Sequence, residues 1–73
     1  MRFRELNGRE VIDADARLIG HVKDIEVDLK KWAVTAIIVK TGFIKKKQIL
    51  AGDIDKIGDK VVLKVAIDKI QKT

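Results

Sequence analysis

The chain is 73 residues long and carries 16 Lys and Arg against 11 Asp and Glu, a net charge of +5. That length holds one hydrophobic core and no second domain, and the absence of Cys excludes a disulfide framework and a thiolate metal site. A hydrophobic share of 47% is too high for a chain that stays unfolded, and the longest apolar run, Ala36 to Val39, falls far short of the ~20 residues of a membrane span.

Val and Ile make up 19 residues against five Leu and six Ala, a bias that favours strands over helices. Asn7-Gly8 is a turn signal, and Arg9 to Asp13 reads as a short strand behind it. Asp13-Ala14-Asp15-Ala16-Arg17 is a polar turn leading into a longer strand, Leu18 to Asp28. That strand changes phase: Leu18, Gly20 and Val22 share one face, whereas Ile25, Val27 and Leu29 have the opposite parity. A bulge near Lys23-Asp24 reconciles the two sets and bends the strand. Leu29 to Trp32 forms the next corner, with Asp28 placed to open a type I turn. Ala33 to Thr41 is the most apolar strand, and Gly42 separates it from a further strand, Phe43 to Leu50. Ala51-Gly52-Asp53 interrupts the pattern, Asp53 to Ile57 reads as a single helical turn, and Gly58-Asp59 closes it. Lys60 to Ile67 is the last strand, with Val61, Leu63, Val65 and Ile67 on one face, and Asp68 to Thr73 fits strand and helical turn equally.

Five or six short strands, a bulge and one short helical turn define an all-β fold: a small, partly open β-barrel spanning residues 1–73 as a single domain. The competing arrangement is a flat sheet of three or four strands covered by a C-terminal helix. No signal peptide opens the chain, so a cytoplasmic protein without membrane insertion is expected.

Four stretches resemble the PRC-barrel domain family in order and spacing. They are Leu6-Asn7-Gly8-Arg9-Glu10-Val11-Ile12-Asp13, then Asp15 to Asp24 (DARLIGHVKD), then Gly42 to Lys47 (GFIKKK), then Asp53 to Leu63 (DIDKIGDKVVL). The resemblance covers roughly Leu6 to Lys64 and is closest to the short stand-alone proteins of archaeal type. The family usually has Gly where this chain has Ala16, in the turn between the first two strands. A residue there with φ > 0 costs Ala roughly 1 kcal/mol, so the turn either changes type or carries strain. Relatives also often place Pro before the acidic pair near Asp53, whereas this chain has none. The resemblance implies a PRC-barrel-like fold and a binding module in place of an enzyme. Relatives occur in the photosynthetic reaction-centre H subunit, in a ribosome maturation factor, and in archaeal cell-division adaptors that pair as dimers. None brings catalytic residues that map onto this chain.

The residues point the same way. Ser, Cys and Tyr are absent, so Ser/His and Cys/His nucleophilic pairs are excluded and no catalytic or cofactor-binding set is expected. His21, with Asp13, Asp15 and Asp24 near it in sequence, is the one conceivable metal centre. Its parity opposes Gly20 and Val22, which turns it to solvent, and no metal is expected. Met1 to Ala36 is charge-neutral, whereas Ile37 to Thr73 carries nine Lys and four Asp and no Arg, and so holds the whole excess. Lys40, Lys45 and Lys47 form the candidate basic surface for a partner, with Lys46 pointing the other way by alternation. The competing reading is a Lys-protected edge strand. Three scattered aromatics, Phe3, Trp32 and Phe43, make a poor base-stacking platform, so nucleic acid is the less favoured partner and a protein the favoured one. Ala36 to Val39 is apolar on both parities and needs cover on both sides, which is hard to find in so short a chain. A second copy would supply it through a dimer face of Trp32, Val34, Ala36, Ile38 and Phe43. The tail from Ile67 to Ile70, folded back over that face, is the alternative.

Overall fold

β-Branched residues dominate the strands of the computed structural model, which describes residues 2–42 and 45–66. A single helical turn, α1 (Phe3–Leu6), comes first. It is followed by β1 (Glu10–Ile12), β2 (Leu18–Asp28), β3 (Ala33–Lys40), β4 (Lys46–Leu50), a 3-10 turn (Ala51–Asp53), β5 (Ile54–Ile57) and β6 (Val61–Leu63). The six strands form one sheet in the order β4-β3-β2-β1-β6-β5. The β1–β6 pair is parallel and the other four pairs are antiparallel. The sheet curls without closing, and its two edge strands, β4 and β5, are joined by the 3-10 turn. This is the partly open barrel that the sequence implies.

The curl encloses Val11, Val22, Ile37, Val39, Ile49, Val61 and Leu63, all fully or almost fully buried, with Leu6 and Ile19 at the margin. Each such side chain contributes about 1.5–3 kcal/mol relative to exposure. Gly20 is required by a close approach. A Cβ there would stand 2.0 Å from the backbone oxygen of Lys40 on the neighbouring strand.

Bulges set which side chains reach this core. Val22 pairs with Val39 and Asp24 with Ile38, so Lys23 is the extra residue, where the phase change places it. Val22 and half-buried Ile25 thereby face the same interior. The β1–β2 ladder slips as well: Val11 faces Gly20 and Ile12 faces Leu18. The skipped residue, Ile19, turns inward to 7% exposure, and Leu18 is left at 56%. Alternation counted from Leu18 therefore assigns the wrong side chain to the core, because the slip resets the parity.

The expected helical turn at Asp53 to Ile57 is corrected: the helical turn lies at Ala51–Asp53, and Ile54–Ile57 is an edge strand. Ile54 pairs with Leu63, Lys56 with Val62 and Ile57 with Val61, leaving Asp55 as a bulge. The bulge puts Ile54 and Ile57, three apart, on one face, which imitates helical spacing in sequence. Among the described residues the strand bounds are also narrower than expected for β1, β3 and β6, whereas β2 runs over the expected Leu18 to Asp28. α1 is an addition that the sequence pattern does not signal. It is tied down by buried Leu6, by the Gly8 N–H donating to the Val22 carbonyl at 2.8 Å, and by the Arg9 side chain donating to the Glu5 carbonyl at 2.7 Å. Phe43, Ile67 and the tail to Thr73 lie outside the described residues.

Both polar turns form as read. Asp13, 1% exposed, accepts from the N–H groups of Asp15 (2.9 Å) and Arg17 (2.8 Å) through Oδ1. Ala16 sits there at φ +63°, so the turn keeps the conformation that Gly would take freely and bears the strain. Asp28 Oδ1 accepts from Lys30 N–H at 2.9 Å and Lys31 N–H at 3.3 Å, and Trp32 ends that corner at φ +52°.

Candidate functional site

Two surfaces stand out from the fold. The first arises where β2 and β3 outrun their neighbours. β1 pairs with β2 only as far as His21, and β4 meets β3 only from Ala36 onward. Beyond those points, Val27 to Val34 is a two-stranded arm held by the pairs Val27 with Val34 and Asp28 with Ala33. Its apolar side chains are exposed: Trp32 83%, Leu29 71%, Val34 47% and Val27 44%. At the base of the arm lies an almost wholly apolar groove of about 360 Å³, walled by Phe3 and Leu6 of α1, Ile25 and Ile37, and Ile54 and Ile57 of β5.

The dimer-face residues named from the sequence divide between these features and the core. Trp32 is at the arm tip. A second slip in the β2–β3 ladder passes over Thr35, so Val34 turns to the groove side, away from the face of Ala36 and Ile38. Ala36 is 1% exposed within one chain, in register between Glu26 and Leu50, and Ile38 is half-buried. The apolar stretch Ala36 to Val39 is thus buried or half-buried within one chain and does not itself call for a second copy, while the alternative cover, the tail Ile67 to Ile70, lies outside the described residues. Leu29, the second exposed tip residue, was missed because parity assigned it to a buried face; its place in a corner was the signal.

The second surface is a row of registered side chains across four strands: Glu10 of β1, His21 of β2, Lys40 of β3 and Lys46 of β4. Lys60 approaches Glu10 to 3.3 Å, whereas Lys40 and Lys46 have no ion-pair partner among the described residues. Two cations directly opposite on antiparallel strands repel each other, at a cost of about 0.2–1 kcal/mol. Of the basic residues named from the sequence, Lys45 is exposed just before β4, and Lys47 is half-buried opposite Val39 on the other face. The structure joins Lys40 with Lys46 and His21, not with Lys47. Among the described residues no cluster of three His, Asp or Glu converges as metal ligands, and no helix is long and apolar enough to cross a membrane.

The fold is a small, partly open barrel with bulged strands, an exposed apolar arm, and Lys40 and Lys46 side by side on one face. The model of the PRC-barrel domain family matches residues 1–70, and the chain belongs to that family. No curated protein matches the chain.

Proposed function

We propose that this PRC-barrel domain protein is a non-enzymatic adaptor that works by docking: it pairs with a second copy of itself and presents a lysine-bordered surface to another protein. The observation that carries the reading is the arm, which holds Leu29 and Trp32 in solvent although a core of nine side chains is available nearby. Exposed large apolar groups on a small domain are the usual mark of a protein interface, and Trp is the side chain most enriched at their energetic centres. No cofactor enters this mechanism, and the setting is the cytoplasm. By the resemblance to archaeal division adaptors, the partner belongs to the cell-division apparatus.

One observation favours a second reading, a module associated with RNA or the ribosome: Lys40 and Lys46 stand in register without an ion-pair partner among the described residues. Against it stand the lack of Arg in the basic half and the absence of aromatics along the row. Capture of partners from the source cell, with and without RNase, tests both. The adaptor reading expects a protein partner retained after RNase treatment. Recovery of ribosomal RNA and ribosomal proteins alone would overturn it.

A further inference from the structure

We propose that the apolar groove beside α1 is a binding site for a free single-chain amphiphile with an anionic head, a molecule of the fatty-acid class. Its hydrocarbon chain lies in the groove and its carboxylate meets Arg2. The proposal goes beyond the adaptor reading and does not depend on it.

The groove is a product of strand irregularity. Val34 and Ile37 are three residues apart, as are Ile54 and Ile57, a spacing that regular alternation sends to opposite faces. The slips at Thr35 and Asp55 bring both pairs to the same cavity. Buried Leu6 and Ile37 form its deeper lining, whereas Phe3, Val34 and Ile57 leave apolar surface open to solvent around them. Its volume of about 360 Å³ falls in the range of small-molecule sites.

The lining selects the occupant. Eight of its nine residues have wholly apolar side chains, which can neither donate nor accept a hydrogen bond. A peptide or a second chain laid along the groove would bring backbone N–H and C=O groups against side chains that cannot pair with them. A sugar or a base would strand its polar edge in the same way. A hydrocarbon chain has no such group to lose, and it covers apolar surface that is otherwise in water.

Arg2 is the one charged residue in the lining, and it has no ion-pair partner among the described residues. Arg4 adds a second cation on α1, with Glu5 the one acidic residue of that turn. A guanidinium takes a carboxylate through two parallel N–H donors, so this end of the groove suits an anionic head. One apolar trough with one cation on it matches one chain with one charge.

Decanoate below its micelle concentration is the probe, with decanol and decyltrimethylammonium as its neutral and cationic counterparts. Titrated into the isotope-labelled full chain, decanoate is expected to saturate at one molecule per chain. The amide signals that move should be those of α1, Ile25, Val34 to Ile37 and Ile54 to Ile57. Decyltrimethylammonium should bind about tenfold more weakly, because Arg2 then repels the head. Arg2→Gln should weaken decanoate about fivefold, the scale of one exposed ion pair, and leave decanol unchanged. Ile57→Glu, at a partly exposed site, should weaken decanoate and decanol alike by about tenfold or more, since it sets a charge against the chain. Circular dichroism verifies the fold of each variant, and the Arg2→Gln comparison decides the matter even where Ile57→Glu does not fold. Equal affinity for the three probes, shifts spread over the whole chain, or an Arg2→Gln chain that binds decanoate like wild type overturns the proposal. Shifts at the same residues on raising the protein concentration alone assign the groove to a second copy and also overturn it. So does binding seen with lipid vesicles and not with decanoate. Partner capture can fail while decanoate binds, and the reverse, so the adaptor reading and this site stand or fall separately.

Discussion

Ala16→Gly should make the protein more stable, and the size of the gain follows from the turn that holds it. Ala16 is exposed, so removing its methyl forfeits no burial. Its φ of +63° brings Cβ close to the following carbonyl, a cost of about 1–2 kcal/mol for an L-residue. Glycine removes that cost but adds conformational entropy to the unfolded chain, worth about 0.4–1 kcal/mol against folding. The net gain is about 0.5–1 kcal/mol, roughly 2–8 °C in Tm for a domain of this size. The turn does not relax into another shape, because Asp13 fixes it on several sides. Its Oδ1 accepts from the N–H groups of Asp15 and Arg17, its carbonyl accepts from Ala16 at 3.0 Å, and its N–H donates to the Arg17 carbonyl at 3.0 Å.

The assay is urea unfolding followed by circular dichroism at one fixed protein concentration, since self-association would otherwise move the midpoint. Ala14→Gly is the internal control. Ala14 is exposed in the same turn but is not in the left-handed region, so glycine there brings only the entropic cost and should destabilise by about 0.4–1 kcal/mol. The opposite signs are the prediction. If both variants lose stability alike, Ala16 is not strained and the reasoning is refuted.

The other predictions concern the same framework. Asp13→Ala should cost about 2–3 kcal/mol in urea unfolding because it strips the acceptor from a buried turn, and Asp13→Asn, which keeps an acceptor, should cost less. Gly20→Ala drives a methyl into the Lys40 carbonyl, which is backbone and cannot swing aside; a loss of about 3 kcal/mol or more, seen as poor soluble yield and broadened amide spectra, is expected. Lys46→Glu places an anion opposite Lys40 and should stabilise by about 0.5 kcal/mol at low ionic strength, a gain that fades at high salt. A gain independent of salt would mean that the two lysines do not repel. The same variant should weaken capture of an acidic partner.

Much of this fold was legible because its signals are local. The Lys23 bulge follows from a parity conflict between Val22 and Ile25, and the strain at Ala16 from a turn that suits Gly. Asp28 at the head of its corner bonds as a turn-opening Asp should. What escaped is what strand partners decide. Ile19, Thr35 and Asp55 become extra residues in their ladders with no compositional mark, and each resets the parity beyond it. Counting by twos therefore sent Leu18 and Leu29 inward, set Val34 beside Ala36, and read Ile54 and Ile57 as helical. The basic surface failed in the same way. Alternation separated Lys46 from Lys45 and Lys47 correctly, but only the β3–β4 register shows that Lys40 belongs with Lys46.

The two strained residues make the strongest contrast in the molecule. Ala16 and Trp32 both occupy positive φ, and both corners are pinned by an aspartate accepting two backbone N–H groups. At Ala16 the surroundings account for the cost: Asp13 is buried, Ala14 N–H donates to the Val65 carbonyl at 3.0 Å, and the turn closes one end of the core. At Trp32, among the described residues, the corner is held by the exposed Asp28 bonds to the Lys30 and Lys31 N–H groups. The Trp32 side chain is 83% exposed, and its corner joins only the two strands of the arm. A small residue would satisfy that corner with less strain and no exposed ring. Backbone strain of this kind clusters at binding clamps and switch regions. The end of the arm, Leu29 to Trp32, is therefore where the proposed docking is most directly tested.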